Sequence, residues 1–292
     1  MKLTAAEPED FARSLMKRFN IGVPVDLYEL ADKIGLRVRE VDARGFEGAI
    51  VRKWNKPNGI IAVRRDVREP GRKRFTVAHE IGHYVLPGHG KHGRSCKGEN
   101  IEAWRDGAPR EEVEANKFAS ELLLPTEHVR RVVQERLASV ETAKYLCSSF
   151  HTSLTAALLK SVSVTEERCC VVLSTDGLID WAMPNEVFRH YVRKGERLSA
   201  DSLAGRLTKG GGEMEASGMV PAYTWLDDSR LERGAMIYED SILQPHYRSV
   251  LTVLTINEPL EKSDQYDEDP LLDELEPSEF TIGRQRWPGN GD

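Results

Sequence analysis

The stretch Phe75-Thr76-Val77-Ala78-His79-Glu80-Ile81-Gly82-His83-Tyr84-Val85-Leu86 decides how the chain is read. His79 and His83 are four residues apart, so on an α-helix they project from one face, one turn above the other. At that separation two imidazoles can share one Zn²⁺, each nitrogen at about 2.0–2.1 Å. Glu80 projects beside such an ion rather than at it, where a carboxylate can take a proton from a water. Phe75, Val77, Ala78, Ile81, Tyr84 and Val85 supply the apolar surface a packed helix needs. Gly82 costs a helix about 1 kcal/mol relative to alanine, so close approach of another element to this face is expected. The same five-residue string also fits an amphipathic helix with two incidental surface histidines. A catalytic zinc needs a third protein ligand and an open fourth position, so the downstream chain must decide.

Arg110-Glu111-Glu112-Val113-Glu114-Ala115-Asn116-Lys117-Phe118-Ala119-Ser120-Glu121-Leu122-Leu123-Leu124-Pro125 reads as a second helix with one buried face, stopped by Pro125. Glu111, Glu112 and Glu114 compete for the ligand role. Glu112 is favoured because Asn116 follows one turn later on the same face, placed to hydrogen-bond a ligating histidine and hold its tautomer. Glu114 points about half a turn away, toward solvent, and Glu111 is the main rival.

The two helices together, His79-Glu80-Ile81-Gly82-His83 and then Glu112 to Ala119 running into Leu122-Leu123-Leu124-Pro125, resemble the ImmA/IrrE family of zinc metallopeptidases. In that family the third ligand lies four residues before the Asn, which maps onto Glu112. The spacing is similar to that of the thermolysin-like gluzincins. The resemblance covers roughly the first half of the chain, and Leu124 stands where the family often has Met. It implies an α+β, zincin-like metallopeptidase core with a small antiparallel sheet, and an edge strand beside the metal that pairs with an extended peptide. It also implies a helix-turn-helix transcriptional repressor as substrate, cleaved under stress or during mobile-element induction.

Composition agrees with a water-soluble globular enzyme: 292 residues, 40% hydrophobic and 30% charged. The net charge of −6 argues against a chain that coats nucleic acid or an anionic membrane. No apolar run approaches the roughly 20 residues that span a bilayer, and Met1 to Asp10 lacks an apolar signal core. Cys96, Cys147, Cys169 and Cys170 form no framework, which fits a reducing cytoplasm.

In order along the chain, helices are expected over Glu9–Phe19 and Pro24–Ile34, the second stopped by Gly35. Strands are expected over Leu36–Val41, Phe46–Val51 and Ile60–Val63, the last two joined by a hairpin at Lys56-Pro57-Asn58-Gly59. By the resemblance, one strand of this hairpin is assigned the peptide-binding edge. Pro87 to Pro109 carries His89, His92 and Cys96 and reads either as a surface loop or as a second metal site or redox-sensitive plug. The peptidase core is assigned to residues 1–125. A helical, helix-turn-helix-like segment follows over 126–165, with Thr126 as an N-cap, Leu137 inward and a turn at His151-Thr152. Its second helix has Lys160 as its one base, which argues against direct DNA readout and for packing on the peptidase core. Residues 166–257 form a mixed α/β or mostly β region, and 258–292 an acidic tail expected to be disordered.

The resulting expectation is a cytoplasmic metallo-endopeptidase. His79, His83 and Glu112 hold Zn²⁺ (Mn²⁺ as the alternative ion), Glu80 is the general base, and Asn116 orients a ligand. An oxyanion donor comes from His128, His151, Tyr145 or Tyr84. The rival from another class is a metal-binding regulatory protein that acts through partner contact without proteolysis.

Overall fold

The computed structural model describes residues 7–42, 45–52, 58–67, 69–89, 94–96, 109–227, 231–232 and 234–257. The fold is α+β. Helix α1 (Pro8–Phe19) starts with a capping box between Glu7 and Asp10 and buries Ala12, with Phe11, Leu15 and Met16 packed against the core. Helix α2 (Leu27–Lys33) is shorter than expected. The Asp26 carboxylate accepts the N–H groups of Tyr28 and Glu29, which fixes the helix start at that cap rather than at Pro24. Gly35, at φ 83°, ends it as expected.

Strands β1 (Leu36–Val41), β2 (Gly48–Arg52), β3 (Gly59–Arg64) and β4 (Arg94–Cys96) form one sheet in the order β1-β3-β2-β4. β2 and β3 are antiparallel, while β1 runs parallel to β3, so the sheet is mixed rather than purely antiparallel. β3 carries Ile61 and Val63, both fully buried, and takes the place between its two predecessors. β1 can then reach it only along the edge that β2 leaves free. Lys56 and Pro57 of the expected hairpin turn lie outside the described residues, as do His92 and the 258–292 tail.

Helix α3 (Pro70–Val85) crosses this sheet and packs on α4 (Arg110–Leu123). Leu30, Ile61, Ile81, Phe118 and Leu122, all fully buried, join the sheet and the four helices in one core. The contact expected at Gly82 is present: a Cβ there would lie 3.1 Å from Phe118 Cδ1 and 3.3 Å from the backbone of Ala115.

Three helices follow: α5 (Thr126–Arg136), α6 (Val140–Phe150) and α7 (Leu154–Val164). Ser139 and Ser153 cap the latter two, and His151 turns the chain in the left-handed conformation. Thr126 is the first helical residue and not the cap, because its hydroxyl donates instead to Glu121 Oε2 at 2.5 Å. Leu137 ends α5 at φ 64° and is exposed rather than inward.

The C-terminal region is mostly β. Strands β5 (Arg168–Thr175), β6 (Leu178–Pro184), β7 (Glu215–Pro221), β8 (Met236–Gln244) and β9 (Ser249–Ile256) form an antiparallel sheet in the order β6-β5-β9-β8-β7. Asp176 and Gly177, at φ 51° and 76°, join β5 to β6 in a tight turn with both residues left-handed. β9 is central and buried along its length. Its Val250, Leu254 and Ile256 face one core with Trp225 and the short helix α8 (Leu203–Thr208). Its Leu251 and Val253 face the other core with Val129, Leu146 and Leu158 of the helical segment. Thus α5–α7 build their core chiefly with this sheet and less with the peptidase core, because the broad apolar face of β5 and β9 offers more surface to cover.

Candidate metal centre

α3 is buried around most of its middle: Thr76 through His83 are all buried, and the side chains of His79 and His83 are 0% and 2% exposed. His79 Nε2 and His83 Nε2 approach to 3.0 Å. Glu112 Oε2, from α4, lies 3.2 Å from the first and 3.5 Å from the second. Ligands at about 2.0–2.1 Å from a tetrahedral ion are separated by about 3.3 Å, so this triangle suits such an ion. Among the described residues it is the one such group of His, Cys, Asp or Glu side chains.

The hydrogen bonds behind the two rings set what faces the centre. Asn116 Oδ1 lies 2.7 Å from His79 Nδ1, which must donate to it if the amide oxygen is the acceptor, leaving Nε2 as a lone pair. His83 Nδ1 lies 3.0 Å from His89 Nδ1, and His89 Nε2 lies 2.8 Å from Glu114 Oε2. A carboxylate only accepts, so His89 Nε2 carries a proton; in the neutral ring His89 Nδ1 then accepts, and His83 Nδ1 donates to it. His83 Nε2 is then also a lone pair. Two imidazole lone pairs and a buried carboxylate oxygen converge within hydrogen-bond distance with no hydrogen between them. Such a set of acceptors, one of them ionised, is stabilised by a cation, so the residues present fit a divalent metal.

Glu80 lies on the same helix and is fully buried. It is accommodated because β2 begins with Gly48: a Cβ there would come within 2.8 Å of Glu80 Oε1 and 2.4 Å of Thr76 Cγ2. Of the other expectations, Glu112 meets the histidines, whereas Glu114 does not point to solvent. It is drawn to His89 and Arg110, the latter at 2.6 Å. The sequence reading missed this because His89 belongs to a Gly- and Lys-rich loop with no periodicity to place it. Val85 ends α3, Leu86 is extended, and Gly88 turns the chain at φ 84°, which returns His89 to the helix.

Neither hairpin strand is an edge. β3 lies between β1 and β2, and the outer side of β2 is paired antiparallel with β4, Gly48 opposite Cys96 and Ile50 opposite Arg94. The oxyanion candidates on the helical segment are engaged elsewhere. His128 stacks edge-on with Phe150, Arg136 lies 4.4 Å over the Tyr145 ring, and His151 is the exposed C-cap of α6. Tyr84 packs against the peptidase core. Lys160 Nζ sits 3.0 Å from the buried Glu121. A separate cavity of about 860 Å³ lies between the start of α3 (Arg72, Phe75), α7 and the C-terminal sheet (Leu173, Trp181, Met183).

A buried His-His-Glu group, with two side chains one turn apart on a helix and the third from the next helix, is consistent with a zincin-like domain. Residues 31–161 match the family profile of the IrrE N-terminal-like domain, Peptidase_M78. A search of curated proteins finds no match. Among solved structures, a Mycobacterium tuberculosis transcriptional regulator is similar in fold. Its TM-score is 0.54 at 13% identity, over 85% of this chain and 74% of that one. Among the described residues, no helix is long and apolar enough to cross a membrane.

Proposed function

We propose that the chain is a zinc-dependent endopeptidase acting on a DNA-binding, helix-turn-helix repressor. The observation that supports it best is the convergence of His79 Nε2, His83 Nε2 and Glu112 Oε2, with Glu80 buried on the same helix. A bound ion supplies a Lewis acid for the scissile carbonyl and eases deprotonation of a water. Glu80 takes the proton of the attacking water on its carboxylate and passes it to the leaving amine. Gly48 leaves room for that carboxylate, and Asn116 keeps His79 Nε2 directed at the centre. The repressor as substrate rests on the family resemblance alone.

A second reading is a metal-binding regulator that acts through partner contact without cleavage. It is favoured by the closure of the site: His79, Glu80, His83 and Glu112 are each no more than 4% exposed, and closed sites are typical of structural metals. Metal analysis, combined with incubation of wild type and Glu80→Gln against candidate repressors, separates the two. Under the enzyme reading Glu80→Gln retains zinc and loses about 10²–10⁴-fold in cleavage rate, while His83→Ala loses both. Full proteolysis by Glu80→Gln would remove the assigned base. Metal-dependent association without cleavage would favour the regulator.

A further inference from the structure

We propose that His89 and Glu114 form a positioning relay that fixes His83 in its metal-binding tautomer, a role that rests on the metal-centre reading above. The chain of contacts runs from Glu114 Oε2 to His89 Nε2 at 2.8 Å and from His89 Nδ1 to His83 Nδ1 at 3.0 Å. With both rings neutral, every link has one proton assignment. The Glu114 carboxylate accepts from His89 Nε2–H, and His89 Nδ1 accepts from His83 Nδ1–H. A histidine that donates through Nδ1 presents an unprotonated Nε2, the atom that faces His79 and Glu112.

The surroundings fit this role. The His89 side chain is 1% exposed, and an imidazole buried that deeply needs both nitrogens satisfied. Glu114 is itself held by Arg110, whose Nε donates to Glu114 Oε1 at 2.6 Å. The relay is the counterpart of Asn116 behind His79, so each metal-facing ring is braced from α4 or through a residue that α4 holds. Neither His89 nor Glu114 touches the centre, so neither is a ligand or a catalytic residue.

The test uses the full chain and Zn²⁺, with affinity read by competition against a chromophoric chelator. Histidine tautomers are read by ¹⁵N NMR with and without the metal, and thermal stability is read on the metal-free protein. Loss of a partner behind a ligating histidine weakens metal binding by about 10–100-fold, and that loss is expected for His89→Leu. His89→Asn places an amide oxygen where Nδ1 stands and is expected to restore most of the affinity. Glu114→Ala, at a partly exposed position, is expected to weaken binding without unfolding the chain. In wild type, with or without metal, His83 is expected as the Nδ1–H tautomer, and in His89→Leu as a mixture in the metal-free state. The proposal is overturned if folded His89→Leu binds Zn²⁺ as tightly as wild type. It is equally overturned if His89→Asn is as weak as His89→Leu and both losses track metal-free stability, which is the mark of packing alone. If wild type binds no Zn²⁺ the metal-centre reading fails instead, and the His83 tautomer in the metal-free chain still decides the relay.

Discussion

Asn116 Oδ1 lies 2.7 Å from His79 Nδ1, so α4 supplies both a carboxylate to the centre and, one turn later, the group that orients a ring of α3. Asn116→Leu removes the acceptor and leaves a buried N–H without this partner. Zinc affinity is expected to fall by about 10–100-fold. Asn116→Asp keeps an acceptor and is expected to stay within a few-fold of wild type. Chelator competition measures both, and equal affinities for Leu and wild type would show that the bond does not orient the ring.

Gly82 sits at the crossing of α3 and α4. Gly82→Ala gains about 1 kcal/mol of helix propensity. The new methyl, however, meets Phe118, which is fully buried, and the backbone of Ala115 at 3.1–3.3 Å, and neither can step aside. Overpacking of this kind costs about 1–3 kcal/mol, so a net loss of about 1 kcal/mol is expected in urea melts, together with weaker zinc binding as the helices part. A more stable variant would show that the crossing is looser than these distances imply.

Glu121 is 1% exposed and accepts from Lys160 at 3.0 Å and Arg13 at 2.9 Å, which ties α4 to α7 and α1. Burial alone would raise its carboxyl, but Lys160, Thr126 and Arg13 bring it below the ordinary carboxylate range. A folded value below the unfolded one adds stability that is present above the unfolded value and is lost as pH falls through the folded one. Glu121→Gln is therefore expected to cost about 3 kcal/mol near neutral pH, because it strands a buried ammonium. The difference from wild type is expected to vanish in acid. A penalty that does not change with pH would assign the effect to packing.

Burial pushes Cys169 up to about 11 and raises Cys170 further, each with the thiol inside the β5–β9 core. Thiolate is the reactive form, so at mildly alkaline pH both are expected to resist alkylation in the native chain. Cys147, half-buried, is raised more modestly and is expected to react slowly. Mass mapping of labelled peptides, native against unfolded in urea, checks this. Rapid native labelling of Cys170 would mean that the sheet opens on that time scale.

Helix α3, its two histidines, Glu80 and the contact demanded by Gly82 were legible in the sequence because each is local. Spacing on a helix is fixed by the 3.6-residue turn, and a glycine inside a helix carries its own cost. The choice of Glu112 over its neighbours was legible too, through the one-turn offset to Asn116.

Tertiary structure alone decided the rest. The His89 relay depends on a backbone reversal at Gly88 and on a partner 25 residues downstream, and no short-range pattern encodes a meeting of that separation. The position of β3 inside its sheet, and the pairing of β4 along the outer side of β2, follow from which strand edges remain free once the most apolar strand is central. The helical segment was expected to lie on the peptidase core, yet it shares its core with the C-terminal sheet. An amphipathic pattern specifies that a face is buried, and only the competition among available apolar surfaces determines against what.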